Sequence, residues 1–127
     1  MKVGIELSIE KEVRREDTAL FVGSGELEVY ATPKMCALME EAASKCIAPY
    51  LEEGKSSVGT MLSIKHLSAT PIGMKVKGVA TVKEIDNRRI VFDVKAYDEC
   101  GLIGEGEHER FIISKESFLS KTYSKKA

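Results

Sequence analysis

Apolar residues in this chain follow two different periods, and the segment where the period changes constrains the fold more than any other feature. From Thr32 onward they recur at steps of three and one, which is the pattern of one continuous helix face. Thr32 is predicted to be the N-cap, Pro33 suits the first helical position and Gly54 suits the end. About 19 helical residues would span roughly 28 Å. The members of the apolar face are Met35, Leu38, Met39, Ala42, Ala43, Cys46, Ile47, Tyr50 and Leu51.

On both sides of this helix the apolar period is two, which indicates β-strands. Residues 3–14 form one predicted strand before the helix, and four more follow it at 57–67, 74–85, 89–97 and 102–113. Short turn sequences separate the last four strands, so they are expected to run antiparallel. The prediction is an α+β fold in which a curved antiparallel sheet of about five strands wraps around one long helix. One helix covers five strands poorly, so a second subunit is expected to add cover and give a homodimer or a higher homo-oligomer.

The remaining segments carry weaker signals. Residues 15–31 are predicted to be irregular. Their apolar side chains either cover a pocket or hold the loop against the core, and we adopt the second interpretation. Residues 114–127 form a polar tail that is predicted to be solvated or frayed. The whole chain, 1–127, is expected to be a single domain. The apolar residues of the loop are Leu20, Phe21, Val22 and Tyr30.

Composition excludes several classes of function. A formal net charge of -1 provides no field that would attract nucleic acid or an anionic membrane. No apolar run approaches the roughly 20 residues of a membrane-spanning helix. The first residues, Met-Lys-Val-Gly-Ile-Glu, lack the apolar stretch of a signal peptide. We therefore expect a cytoplasmic protein whose partners include neither nucleic acid nor membrane.

The cysteines argue against a metal site. Cys36, Cys46 and Cys100 form no Cys-x-x-Cys pair, so zinc is not expected. Cys46 falls inside the apolar helix face and is predicted to be a core residue. The roles of Cys36 and Cys100, including that of a reactive thiol, stay open at this point.

Three polar residues suggest chemistry. Thr32 and Glu40 lie on the helix and His66 lies on the strand that follows it; a hydroxyl, a carboxylate and an imidazole suffice to aim and deprotonate a nucleophile near neutral pH. Glu40 falls at the edge of the apolar face, where burial can tune its pKa, whereas Glu41 points toward solvent. His66 shares its strand parity with apolar residues and is expected to face inward.

Each of these residues also has a structural interpretation. Thr32 serves as a helix cap, Glu40 reaches water from a boundary position, and His66 is a hydrogen-bonded core histidine. Along the helix axis, Thr32 and Glu40 are separated by about 12 Å. Both can therefore touch one substrate atom only if the helix starts late or if one of them comes from a neighbouring subunit.

Two further residues are candidates for binding. Gly59, near the start of a strand, could allow a substrate carbonyl to approach a backbone N–H group, or it could mark a bulge. Arg110, which shares a strand face with His108, could hold a phosphate or a carboxylate. The alternative for Arg110 is an ion pair, either with Glu105, Glu107 or Glu109 or across a dimer contact.

In this order and spacing, these residues resemble the hot-dog fold acyl-CoA thioesterases, and most closely the fluoroacetyl-CoA thioesterase group. The resemblance runs from about Tyr30 to Ile113. It implies a hot-dog fold, a dimer, and hydrolysis of an acyl-CoA thioester without a metal or other cofactor, since CoA enters as part of the substrate. It also implies that Thr32, Glu40 and His66 are catalytic. The matching segments are 30–32, 38–40, 48–52, 58–60, 66–73 and 106–110.

The resemblance further implies where the substrate binds. Gly59 would line the acyl end of the site, and Arg110 would lie near it. The segment 17–26 does not match the aromatic gate of the fluoroacetyl-CoA enzymes, so the expected substrate is a short-chain acyl-CoA whose acyl group is open. Cys36 and Met39, together with Met35, would shape the pocket. The alternatives are the same fold binding acyl-CoA or another small ligand without turnover, or serving as a purely structural dimer.

Overall fold

A computed structural model describes residues 1–126 of the chain and shows one antiparallel sheet packed on one long helix. This arrangement confirms the predicted α+β architecture. The strands are β1 (Glu6–Glu12), β2 (Lys55–His66), β3 (Lys75–Asp86), β4 (Arg89–Asp98) and β5 (Gly101–Ser114). The helices are α1 (Ala19–Val22), α2 (Thr32–Ile47) and α3 (Lys115–Tyr123). Short 3-10 turns cover Arg15–Asp17, Ala48–Tyr50 and Ser124–Lys126.

The sheet order, β1-β3-β4-β5-β2, places β2 at an edge. Its inner neighbour is β5, and their register sets Gly59 opposite Arg110 and Leu62 opposite His108. A bulge interrupts this pairing between Gly59 and Met61. The extra residue at the bulge shifts the in–out alternation of β2 by one position. Residues before and after the bulge therefore both face α2.

The core lies between α2 and the inner face of the sheet. The inward side chains of β3 and β4 follow the predicted alternation, and Cys46 lies buried among them as expected. Full burial of each large apolar side chain contributes about 1.5–3 kcal/mol, so this interface supplies most of the driving force for folding. The buried residues of α2 are Met35, Leu38, Met39, Ala42, Ala43, Cys46 and Ile47.

The start of α2 differs from the prediction. Ala31, with an extended backbone, is the N-cap, and Thr32 is the first helical residue. Among residues 1–126 no side chain caps this helix, so the prediction that Thr32 is the cap is wrong. Its hydroxyl is consequently free to bond elsewhere. At the other end the α-helix ends at Ile47 because Pro49 cannot donate the next backbone hydrogen bond, and a 3-10 turn follows.

Two segments predicted to lack regular structure contain helices. Within 15–31, α1 leaves Leu20 and Phe21 exposed (Phe21 by 66%), so the prediction that these residues hold the loop against the core is wrong. Tyr30, in the same segment, is buried. Residues 115–126 of the tail are exposed, as the prediction of a solvated or frayed end allowed, and Lys115–Tyr123 forms the helix α3. Ala127, the last residue of that tail, lies outside the described residues. None of the helices in residues 1–126 combines the length and the apolar character needed to cross a bilayer.

Candidate active site

Thr32 and His66 form a direct pair where α2 begins and β2 ends. The Thr32 Oγ1 atom lies 2.7 Å from Nδ1 of His66. The pair opens onto a cleft of about 350 Å³, whose other walls include Tyr30, Leu67 and Ser68. A hydroxyl held against a ring nitrogen beside an open cleft is the arrangement that general-base activation of a hydroxyl or a water requires.

The protonation of His66 suits that role. Burial lowers the pKa of His66 below its ordinary value, and the Ser68 main chain raises it by a smaller amount. The ring is therefore neutral at pH 7, and when the Thr32 hydroxyl donates to Nδ1 the ring proton lies on Nε2. Nε2 is buried, and within residues 1–126 it has no hydrogen-bond partner. A buried N–H in this position calls for an acceptor from outside the described chain.

Glu40 belongs to a second group, centred on Gly59. A Cβ atom added to Gly59 would lie 2.8 Å from Glu40 Oε2, 3.1 Å from His108 Cε1 and 3.4 Å from Arg110 Nη1. The missing side chain at Gly59 is therefore what leaves room for the carboxylate. Glu40 is half-buried, whereas Glu41 forms surface ion pairs, as the helix geometry predicted.

Arg110 is buried and fixed in this second group, with 8% of its surface exposed. Its Nε donates to Ser57 Oγ at 2.8 Å, and its Nη2 donates to the Ser57 carbonyl at 2.9 Å. It makes no ion pair within the described residues, because Glu109 is paired with Arg89 instead. Burial lowers the pKa of Arg110, and the charge of Glu40 opposes that effect. The guanidinium therefore stays charged beside the carboxylate without being bonded to it.

His108 is a member of this group that sequence reasoning missed as a site residue. It is 1% exposed, and its Nδ1 lies 2.8 Å from the Met61 carbonyl. Its Nε2 lies 3.2 Å from Nη1 of Arg110. The available signal was strand parity, since residues two apart on a strand share a face and Arg110 was already a candidate.

The two groups lie apart within one chain. Thr32 and Glu40 are separated by about 12 Å along the helix axis. His66 and Gly59 stand seven residues apart on β2, which corresponds to roughly 23 Å of strand. The structure thus brings Thr32 to His66, and Glu40 to Gly59 and Arg110, without joining the two groups.

Cys36 and Met39 differ in their access to solvent. Met39 is fully buried in the core, and Cys36, one turn before Glu40, is partly exposed. Burial and the charge of Glu40 both raise the pKa of the Cys36 thiol, so it is protonated at neutral pH and is a poor nucleophile. In residues 1–126, no three His, Cys, Asp or Glu side chains come together in a way that could hold a metal ion.

The fold is that of the hot-dog thioesterases, and solved structures agree. A structure of the fluoroacetyl-CoA thioesterase FlK matches 98% of this chain and 97% of its own, with a TM-score of 0.93 and 35% identity. A threonine-to-serine mutant of FlK in complex with acetyl-CoA matches 100% of both chains, with a TM-score of 0.95 and 34% identity. A Thermus thermophilus protein described as a thioesterase superfamily member matches 98% of this chain and 93% of its own, with a TM-score of 0.92 and 35% identity.

Sequence comparisons narrow the class to one family. The fluoroacetyl-CoA thioesterase of Streptantibioticus cattleyicolor is 42% identical over 98 residues, which cover 77% of this chain and 70% of that protein. The model of the fluoroacetyl-CoA-specific thioesterase family matches residues 13–116. The chain therefore belongs to the fluoroacetyl-CoA-specific thioesterase family and is a thioester hydrolase. The resemblance, the fold and the enzyme class expected from the sequence are confirmed.

Proposed function

We propose that this protein hydrolyses a short-chain acyl-CoA to the free acid and CoA, with Thr32, Glu40 and His66 as its catalytic residues. The observation that carries the proposal is the 2.7 Å contact between the Thr32 hydroxyl and the neutral His66 ring beside an open cleft. The acetyl-CoA bound to a similar structure supports an acyl-CoA substrate. No cofactor takes part, since CoA arrives as part of the substrate.

His66 acts as the base in this reaction. Its lowered pKa keeps Nδ1 able to accept a proton from the Thr32 hydroxyl, or from a water that this hydroxyl positions. Thr32 also stands in the first turn of α2, where the helix dipole favours the negative charge that develops on the attacked carbonyl oxygen.

Glu40 acts from the opposite side of the thioester. Its carboxylate attacks the thioester carbonyl, so that the C–S bond breaks, CoA leaves as the thiolate and a mixed anhydride forms, which water then hydrolyses to the free acid. Alternatively, the carboxylate positions a water that attacks the carbonyl directly and displaces CoA. Both routes use the space above Gly59. The buried positive charge of Arg110 stabilises negative charge that develops beside it. Cys36, on the same helix, forms part of the wall of the acyl pocket.

Two subunits complete the site by pairing along β2. This strand has a free edge in the described chain, and such an edge is stabilised by a second strand. The point halfway between Gly59 and His66 falls at Leu62 and Ser63. Antiparallel pairing about this point therefore carries His66 of one subunit toward Gly59 of the other. The buried Nε2 of His66 then faces an acidic group, Glu40 of the partner subunit.

The free cysteines bear on the compartment in which the protein works. All three cysteines are free, although Cys100 is exposed in the turn between β4 and β5. Free exposed thiols suit a reducing compartment, so we place the reaction in the cytoplasm.

The activity is tested with a panel of acyl-CoA substrates, including acetyl-CoA, fluoroacetyl-CoA and propionyl-CoA, monitored for free thiol. The wild type should release CoA, and His66→Ala or Glu40→Ala should lower the rate by about 100-fold or more with little change in melting temperature. A protein that is thermally stabilised by acyl-CoA but releases no CoA would instead be the non-catalytic binding protein.

The shared site is tested by mixing the two inactive variants. If Glu40 and His66 of different subunits act together, each mixed dimer of Glu40→Ala with His66→Ala contains one intact site. Random exchange should then restore about a quarter of wild-type activity. A mixture that stays as inactive as its components would place the whole site within one subunit. Glu41→Ala mixed with His66→Ala is the matched control for dilution, since Glu41 is a surface residue and this mixture should keep about half of wild-type activity with or without exchange.

A further inference from the structure

We propose that His108 is a positioning residue that holds the Arg110 guanidinium beside Glu40 and prevents the two from forming an ion pair. The inference rests on the proposed function, because it assigns a role within the group centred on Gly59. His108 does not reach the cleft itself, being 1% exposed, so it acts through Arg110.

The two hydrogen bonds of the His108 ring are compatible with only one protonation state. A backbone carbonyl only accepts, so Nδ1, at 2.8 Å from the Met61 carbonyl, must carry a proton and donate it. A guanidinium only donates, so Nε2, at 3.2 Å from Nη1 of Arg110, must be bare and accept. A doubly protonated ring would set two N–H groups against each other. His108 is therefore neutral, with its proton on Nδ1.

The surroundings of the ring favour that state. Burial is the main cause that lowers the pKa of His108, and the charge of Arg110 adds to it; the Met61 carbonyl, Glu40 and Glu109 act in the opposite direction. The ring also stacks on Phe92, with the two centroids 5.9 Å apart. Both effects keep the ring fixed and uncharged beneath Arg110.

The consequence for Arg110 is a fully determined orientation. Ser57 binds its Nε and Nη2 atoms and His108 binds Nη1, so each guanidinium nitrogen is anchored. Opposite charges this close would otherwise attract each other strongly in a partly buried site. Without the acceptor on His108, only Ser57 would hold the guanidinium, which could then shift as a rigid unit toward Glu40, and a paired Glu40 would be a weaker nucleophile.

The competing interpretation is structural. The same ring bonds the carbonyl of Met61, which borders the bulge of β2 two residues after Gly59, so His108 also holds the backbone at that bulge. The two roles use different ring nitrogens and can be separated. The amide of asparagine reproduces the Nδ1 donor, whereas the side-chain oxygen of glutamine can reproduce the Nε2 acceptor.

The test compares His108→Asn with His108→Gln in the full chain, using acetyl-CoA or whichever acyl-CoA the wild type hydrolyses. His108→Asn should keep a melting temperature close to the wild type but lower kcat by about 10- to 100-fold with little change in KM. His108→Gln should retain kcat within a few-fold of the wild type despite a lower melting temperature. This opposite ordering of stability and activity is not expected from a purely structural residue.

Ser57→Ala provides an independent variant that removes one anchor of Arg110 and leaves the bulge bond intact. It should lower kcat in the same direction as His108→Asn. The inference is overturned if His108→Asn and Ser57→Ala retain wild-type kcat, or if His108→Gln is the less active of the two histidine variants. Failure of the proposed function looks different, because the wild type itself would then release no CoA from any substrate of the panel.

Discussion

The Thr32 hydroxyl bonds the His66 ring at 2.7 Å across a sequence separation of 34 residues. The contact exists because Ala31, and not Thr32, caps the helix, which leaves the hydroxyl without a local partner. Since β2 ends where α2 begins, the ring of its last residue reaches that hydroxyl. Both partners are thereby fixed by regular elements, which is the rigidity that a catalytic pair requires.

Removing the Thr32 hydroxyl should lower the catalytic rate without a matching loss of stability. Thr32→Ala is expected to lower kcat by about 100-fold or more, because it removes the group that His66 deprotonates or uses to place a water. Thr32→Ser keeps the hydroxyl and should retain most of the activity. CoA release with saturating substrate measures both variants. Equal activity of the alanine and serine variants would contradict a chemical role for the hydroxyl.

A methyl group at Gly59 should disturb the site more than the fold. Its Cβ would lie 2.8 Å from the carboxylate of Glu40, which is the flexible end of a side chain and can move aside. Gly59→Ala is therefore expected to reduce kcat strongly and to change the melting temperature little.

Gly78→Ala is the matched comparison, because its Cβ would meet the core side chain of Leu38 at 2.7 Å. It should cost about 1–3 kcal/mol of unfolding free energy while the folded fraction keeps its turnover. A Gly59→Ala protein with normal kcat would show that Glu40 does not need this space.

Stability should fall on mild acidification. His66 and His108 both have a pKa below the ordinary value of 6.5 in the folded state, mainly because they are buried. Below that pH the unfolded chain binds more protons than the folded one, so unfolding free energy decreases as pH falls through this range. Glu41, whose pKa is lowered by Lys11 and Lys45, contributes only below its ordinary value of 4.5.

Melting temperatures measured between about pH 8 and pH 5 check this prediction. We expect little change above neutrality and a steady decrease below it. The slope should be shallower in His108→Gln, since that variant carries one fewer titrating group. A melting temperature that rose on acidification in this range would contradict the buried, neutral state of both rings.

Assembly along β2 should be sensitive to charge near its midpoint. Ser63 is exposed and lies close to the point about which two copies would pair. Ser63→Lys would bring two like charges together across the symmetry axis, which disfavours pairing. Sedimentation should show a shift toward monomer together with a loss of CoA release. Ser117→Lys, on the exposed face of α3, is the control, and a Ser63→Lys protein that remained a fully active dimer would exclude this interface.

The sequence predicted most of the architecture because hydrophobic periods report which side of each element is buried. All five strands and the long helix lie close to their predicted positions, and Glu40 and Glu41 separate as the helix geometry required. Short helices were missed, because α1 and α3 bury little apolar surface and leave no periodic signal.

What the sequence determined by itself was the set of elements, the family, and the residue types available for chemistry. Local patterns carry that information, since the apolar period along the chain reports which face of each helix and strand is buried. Only the tertiary structure decided which side chains meet: Thr32 with His66, and Glu40 with Gly59, Arg110 and His108. These contacts join segments tens of residues apart, and they depend on strand register and on a single bulge in β2, neither of which has a local signature.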